Sequence, residues 1–192
     1  MDLVKAQELW EPQPGWLNTA SYGLPPRPAW EALQAALADW RVGRGSWETW
    51  GDATNGCREV FARLVGVPAT DVAVGATVSQ MLAPLAAGLP AGARVVVPQE
   101  EFTSALFPWL VQTGRGVSVR TVPLDRLADS VDADTDLVAF SLVQSADGRI
   151  AAYEQVVAAA RAHDALVVVD ATQACGWLPF QAGLADVVVG GG

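Results

Sequence analysis

Four short runs, RVVVP (94–98), LVAF (137–140), LVVVD (166–170) and DVVVG (186–190), each carry at least three apolar residues in unbroken succession. A strand with one face in water alternates apolar and polar side chains; a strand without alternation is buried on both faces. Between these runs lie segments with helical spacing: TVSQMLAPLAAGL, TSALFPWLVQTG and YEQVVAAARAHD. Strand and helix in alternation predict an α/β fold, a mainly parallel sheet covered by helices on both faces. Two further stretches, DVAVG (71–75) and VSVRTVP (117–123), are expected to be strands of the same sheet, and 122–136 to be only part helix.

The N-terminal stretch EPQPGWLNTASYGLPPRP is rich in Pro and Gly and should be irregular. A helix follows in PAWEALQAALADWRVG, with Pro28 suited to its first turn, and a second is expected from Asp52 to Val65, closed by Gly66. GSWETW reads as a loop whose Trp47 and Trp50 wall a pocket. The division expected is 1–50, an N-terminal segment with the first helix, and 51–192, the α/β domain.

Composition removes several classes of partner. Hydrophobic residues make up 51% of the 192 and charged residues 17%, so extended disorder is not expected. The apolar runs are too short to span a bilayer, and MDLVKAQELW lacks the features of a signal peptide, so a cytoplasmic protein with no membrane partner is expected. A formal charge of −9 without a basic cluster argues against nucleic acid. Cys57, Cys175 and the lone His163 cannot build a zinc site, and no metal is expected. His163 is placed near a helix end. Lys5 is the only lysine; the other basic residues are arginines.

In open α/β sheets ligands bind beyond the carboxyl ends of the strands. Polar residues and glycines gather after those ends: Gly75-Ala76-Thr77, Gln99 to Thr103, Gln144-Ser145, Asp170 to Gln173 and Gly190 to Gly192. Each has a plain structural reading as well. Asp170 suits an N-cap or a carboxylate at the floor of a site; Thr77 suits a helix cap or an anion-binding turn; Phe102 suits the core or a ring that stacks on a planar ligand. No GxxxxGK[ST] or GxGxxG is present, which weakens a nucleotide reading.

In order along the chain, WLNTASYGLPP, VAVGATVSQML, EEFTSALFPW, FSLVQSADGRI, LVVVDATQACGWLPF and ADVVVGGG resemble the motifs of class V aminotransferases. That group belongs to the fold-type I pyridoxal-phosphate enzymes and also holds cysteine desulfurases, kynureninases and isopenicillin N epimerase-like proteins. The resemblance implies pyridoxal 5'-phosphate as cofactor, an amino acid and a keto acid as substrates, and a homodimer. It implies that Asp170 holds a proton on the pyridine nitrogen, so the ring can withdraw electrons from a substrate carbanion. Gln173 matches the donor to the ring's phenolic oxygen, Thr77 with the backbone of Ala76 and Val78 the phosphate turn, and Phe102 the ring-stacking position. Ser145, with Gln144, stands where many members have an asparagine. Gly191 falls in the VGGG-like segment, and Asn18, Ala20 and Tyr22 in the segment lining the substrate side.

Two departures bear on activity. Cysteine desulfurases usually carry histidine where Phe102 stands, and their catalytic cysteine would lie past residue 192, which favours an aminotransferase over a desulfurase. In the family the lysine that forms the Schiff base with the cofactor follows the VGGG-like segment at once, so it is expected just past Gly192, with this sequence covering about the first half of such an enzyme. A lyase or epimerase using the same cofactor, a cysteine desulfurase of the same family, and a non-catalytic fragment are the alternatives.

Overall fold

The computed structural model describes residues 2–191. Gly192, the last residue of the expected glycine rim, lies outside the described residues. The chain forms two compact units with a boundary between Cys57 and Arg58.

The first unit opens with a short helix, α1 (Leu3–Gln7), whose N-cap Asp2 accepts the Lys5 N–H at 2.9 Å. An irregular stretch leads to α2 (Arg27–Arg41), which starts with Pro28 in its first turn as expected. Helix α3 (Trp47–Val65) starts five residues earlier than the sequence suggests. The GSWETW loop is therefore corrected: Trp47 and Trp50 stand in the first turn of α3. Ser46 caps that turn, its hydroxyl accepting the Glu48 N–H at 3.3 Å and its carbonyl the Trp50 N–H at 3.3 Å. Gly66, at φ +75°, closes the helix, a left-handed position where a side chain is strained.

The second unit holds five parallel strands: β1 (Arg94–Pro98), β2 (Ser118–Val122), β3 (Leu137–Ser141), β4 (Leu166–Asp170) and β5 (Val187–Val189), in the spatial order β2-β1-β3-β4-β5. Parallel neighbours need crossovers. α5 (Thr103–Leu110) joins β1 to β2, and α6 (Tyr153–Ala162) joins β3 to β4. Between β2 and β3 the chain makes two 3-10 turns, Leu124–Arg126 and Ala128–Ser130. α4 (Val78–Gly88) precedes β1.

Successive residues of the inner strands feed opposite faces, as the period of two requires. Val96, Val138, Phe140, Val167 and Val169 pack with Tyr153, Val156, Val157 and Ala160 of α6. Val95, Val97, Leu137, Ala139 and Val168 pack with Leu82 and Ala86 of α4 and Ala105 and Trp109 of α5. The unbroken apolar runs thus have the cause inferred for them, a sheet covered on both sides. β2, at one edge, is the strand whose Ser118, Arg120 and Thr121 are exposed.

The expected strand DVAVG is corrected. Its first residue closes a 3-10 turn, Ala69–Asp71, and Val72 to Gly75 run without a ladder partner. The Val72 and Ala69 carbonyls accept from the Arg58 guanidinium instead, at 2.7 and 3.0 Å. A strand is defined by its neighbour, and among the described residues no neighbouring strand pairs with this stretch. Among the described residues no helix is long and apolar enough to cross a membrane.

Candidate functional site

From β1 the chain runs outward to β2 and then returns to lay β3 on the other side of β1. Such a reversal opens a crevice at the strands' carboxyl ends. A cavity of about 140 Å³ lies there, with Phe102 and Ser104 from the β1 exit, Ser141, Val143 and Ser145 from the β3 exit, Asp170, Thr172 and Gln173 from the β4 exit, and Val78 from the start of α4. Of the residues expected at a site, the structure brings Val78, Phe102, Ser145, Asp170 and Gln173 together on this lining.

Asp170 is the last residue of β4 and only 6% exposed. Its Oδ1 accepts the Thr172 N–H at 2.8 Å, so one oxygen serves the turn as a cap would while the carboxylate also lines the cavity. The lining holds this one carboxylate and no basic side chain, which favours a cationic group above it. Its charge also reaches Cys175: burial first, then Asp170, pushes that thiol's pKa up. Cys175 and Cys57 are both free thiols.

Phe102 is not core. The residue is 50% exposed and stands on the cavity wall at the N-cap of α5. Ser145 sits in a hairpin after β3, in which Gln144 N–H donates to the Arg149 carbonyl at 2.9 Å and Gly148 N–H to the Gln144 carbonyl at 2.8 Å. Arg149 pins the hairpin, donating to Asp147 at 2.7 Å and to Glu100 at 2.7 Å. The Arg149 N–H and guanidinium hold the Asp147 carboxyl below its ordinary value.

Thr77 is the N-cap of α4, its hydroxyl accepting the Gln80 N–H at 3.2 Å, and Gln80 reaches back to accept the Ala76 N–H at 2.7 Å. The Ala76 donor is thus engaged within the chain. The first-turn N–H groups of Val78 and Ser79 lie outside the helix's own bonding pattern and offer an anion site. Gly75 leaves room at this turn: a Cβ there would fall 2.1 Å from the Met81 sulfur, so any side chain would have to displace Met81. Gly191 N–H donates to Thr172 Oγ1 at 2.8 Å, which draws the β5 exit against the same corner. Asn18, Ala20 and Tyr22 lie in an exposed turn of the first unit, where the Asn18 carbonyl accepts from Ser21 and Tyr22.

Sequence reasoning missed Ser104, Ser141 and Val143 in the lining; Thr172 in the lining and Glu101 beneath it fell within the rim stretches it named but were given no role. Thr172 was legible, since it sits inside the DATQ motif. Glu101 was not, because in the pair Glu100-Glu101 nothing local says which acid turns inward. Among the described residues no group of three or more His, Cys, Asp or Glu is placed to hold a metal ion.

A family model described as aminotransferase class-V matches residues 41–189. Two curated proteins, each named "Probable cysteine desulfurase", align with the chain. The one from Methanothermobacter thermautotrophicus is 30% identical over 176 residues, 84% of this chain and 44% of its own. The one from Aeropyrum pernix is 34% identical over 185 residues, 85% of this chain and 44% of its own. The chain thus spans less than half the length of these relatives. Among solved structures, a complex of the cystine C-S lyase C-DES with its reaction product cysteine persulfide superposes with a TM-score of 0.81 at 19% identity, over 91% of this chain and 52% of that one. At that identity the likeness establishes the fold.

Proposed function

The chain belongs to the class-V aminotransferase family, whose cofactor is pyridoxal 5'-phosphate, and from that premise we propose that it is the cofactor-binding part of an enzyme acting on an amino acid, in the first place an aminotransferase. The observation that carries this reading is the buried Asp170 carboxylate in a cavity with an aromatic ring on its wall and no basic side chain. Bound there, pyridoxal phosphate supplies a ring that withdraws electrons from the substrate's α carbon.

The residues present fit that group. Asp170 would keep the proton on the ring nitrogen, because a buried carboxylate favours a cationic partner. Phe102 would stack on the ring face and Gln173 would donate to the ring oxygen. The N–H groups of Val78 and Ser79, with the Thr77 hydroxyl as a donor, would hold the phosphate at the start of α4. Ser145 and Gly191 would border the same pocket. Asn18, Ala20 and Tyr22 are proposed for the substrate side, completed in a cytoplasmic homodimer.

A second reading is carbon–sulfur chemistry on cysteine, favoured by the names of both curated relatives. Phe102 at the stacking position, where desulfurases usually carry histidine, speaks for the first reading. Two assays of the natural protein separate them. Transfer of an amino group from an amino acid to a 2-oxo acid is expected; release of sulfide or persulfide from L-cysteine without transamination would replace the first reading by the second. Pyridoxal phosphate should raise the unfolding midpoint where ATP and NAD do not, and no shift with pyridoxal phosphate would sink both.

A further inference from the structure

The ladder between β1 and β3 pairs only Val95 with Leu137 and Val96 with Val138. Beyond it, toward the cavity, Pro98 has no N–H to offer and the two strands part. Glu101 bridges the opening. Its Oε2 accepts the Ser141 N–H at 2.7 Å and the Gln144 Nε2–H at 3.3 Å; its Oε1 accepts the Phe102 N–H at 2.8 Å and the Ser141 hydroxyl. The side chain is buried, at 7% exposure, and among the described residues no salt bridge reaches it. Desolvating a carboxylate without a cation is costly unless its oxygens are bonded. Four converging donors meet that condition. A glutamine would not: its one carbonyl oxygen cannot serve both sides, and its NH2 would face N–H groups.

Three of the four donors come from two residues that line the cavity, one from Phe102 and two from Ser141; the fourth comes from Gln144, next to Ser145 in the lining. We propose that Glu101 is the positioning residue of the site, closing the gap between the β1 and β3 exits and thereby setting where the Phe102 ring stands against a planar ligand. The ligand half of this proposal rests on the cofactor reading above; the clamp itself does not.

The variant Glu101→Gln separates the two. Without any ligand, amide exchange at Ser141 and Phe102 is expected to rise roughly tenfold or more, while Val138 and Val169 in the ladders stay protected. Unchanged exchange at Ser141 and Phe102, or a rise throughout β1 and β3, would overturn the proposal. With ligands, the variant should bind pyridoxal phosphate roughly threefold to tenfold more weakly, the worth of a ring contact, and inorganic phosphate equally well. Glu101→Gln combined with Phe102→Ala should bind no more weakly than Phe102→Ala alone. Equal losses for both ligands, or additive losses, would mean a merely structural acid and overturn it. Should the unaltered protein bind no pyridoxal phosphate, the cofactor reading fails and the exchange measurement alone decides the clamp.

Discussion

Asp170 does two things with one carboxylate, and the two can be separated by experiment. Its Oδ1 accepts the Thr172 N–H, a task that the amide oxygen of asparagine performs equally well. Holding a proton on a ring nitrogen needs the charge. Asp170→Asn is therefore expected to change stability by less than about 1 kcal/mol, the range of a neutral hydrogen bond, yet weaken pyridoxal phosphate about tenfold to a hundredfold, the range of a charged one. Thermal unfolding and an equilibrium titration read the two effects. The same charge is felt by Cys175, whose thiol pKa is raised by burial first and by Asp170 second. Since the thiolate is the nucleophile, iodoacetamide should modify Cys175 more slowly than an ordinary thiol at pH 8, with the rate rising only at higher pH. Asp170→Asn should move that rise part of the way back, because burial remains. A raised thiol pKa stabilises the fold below the ordinary value, and that contribution is lost as pH rises through the raised one.

At the scale of elements, the cap of α4 and the hairpin after β3 carry the site, and each has a measurable hold. Thr77→Ala removes the acceptor for the Gln80 N–H and should cost about 1 kcal/mol in urea unfolding, with weaker binding of inorganic phosphate. In the hairpin, Asp147 is held below its ordinary value by the Arg149 N–H first and the guanidinium second. That contribution is present above the ordinary carboxylate pKa, about 3.9, and is lost as pH falls through the lowered value. Arg149→Ala should raise the Asp147 titration midpoint only part of the way, read by NMR, since the backbone donor stays. The sequence showed which segments would be elements wherever the cause was local: LVAF and LVVVD are buried on both faces, and the first turn of α2 suits Pro28. It misled at Val72 to Gly75, where local pattern suits a strand but Arg58 takes the Val72 carbonyl. It also misled at Trp47 and Trp50, where the Ser46 cap outweighs the glycines around it. Asp170, Phe102 and Gln173 were legible because motif and strand end coincide; Glu101 was not, because its role depends on a gap between strands distant in sequence.

At the scale of the second unit, one sheet serves two cores, and that coupling decides how the site responds to damage elsewhere. The side chains of β3 alternate between the faces: Val138 and Phe140 join the cluster under α6, Leu137 and Ala139 the cluster under α4 and α5. No strand can leave one cluster without deserting the other, so the unit should unfold as one. Phe140 tests this. It is 1% exposed, meets Tyr153 at a centroid distance of 6.4 Å, and Tyr153 in turn meets Phe180 edge-on at 6.1 Å. Phe140→Ala removes a large ring from a packed interior and should destabilise the unit by about 3–5 kcal/mol. If the two cores are a single cooperative structure, amide exchange through global opening will accelerate by the same factor at Val97, which faces the α4 and α5 side, as at Val169, which faces the altered side. Faster exchange at Val169 with Val97 unchanged would mean that the faces open separately, and that the site at the strand ends can lose one wall while the other stands.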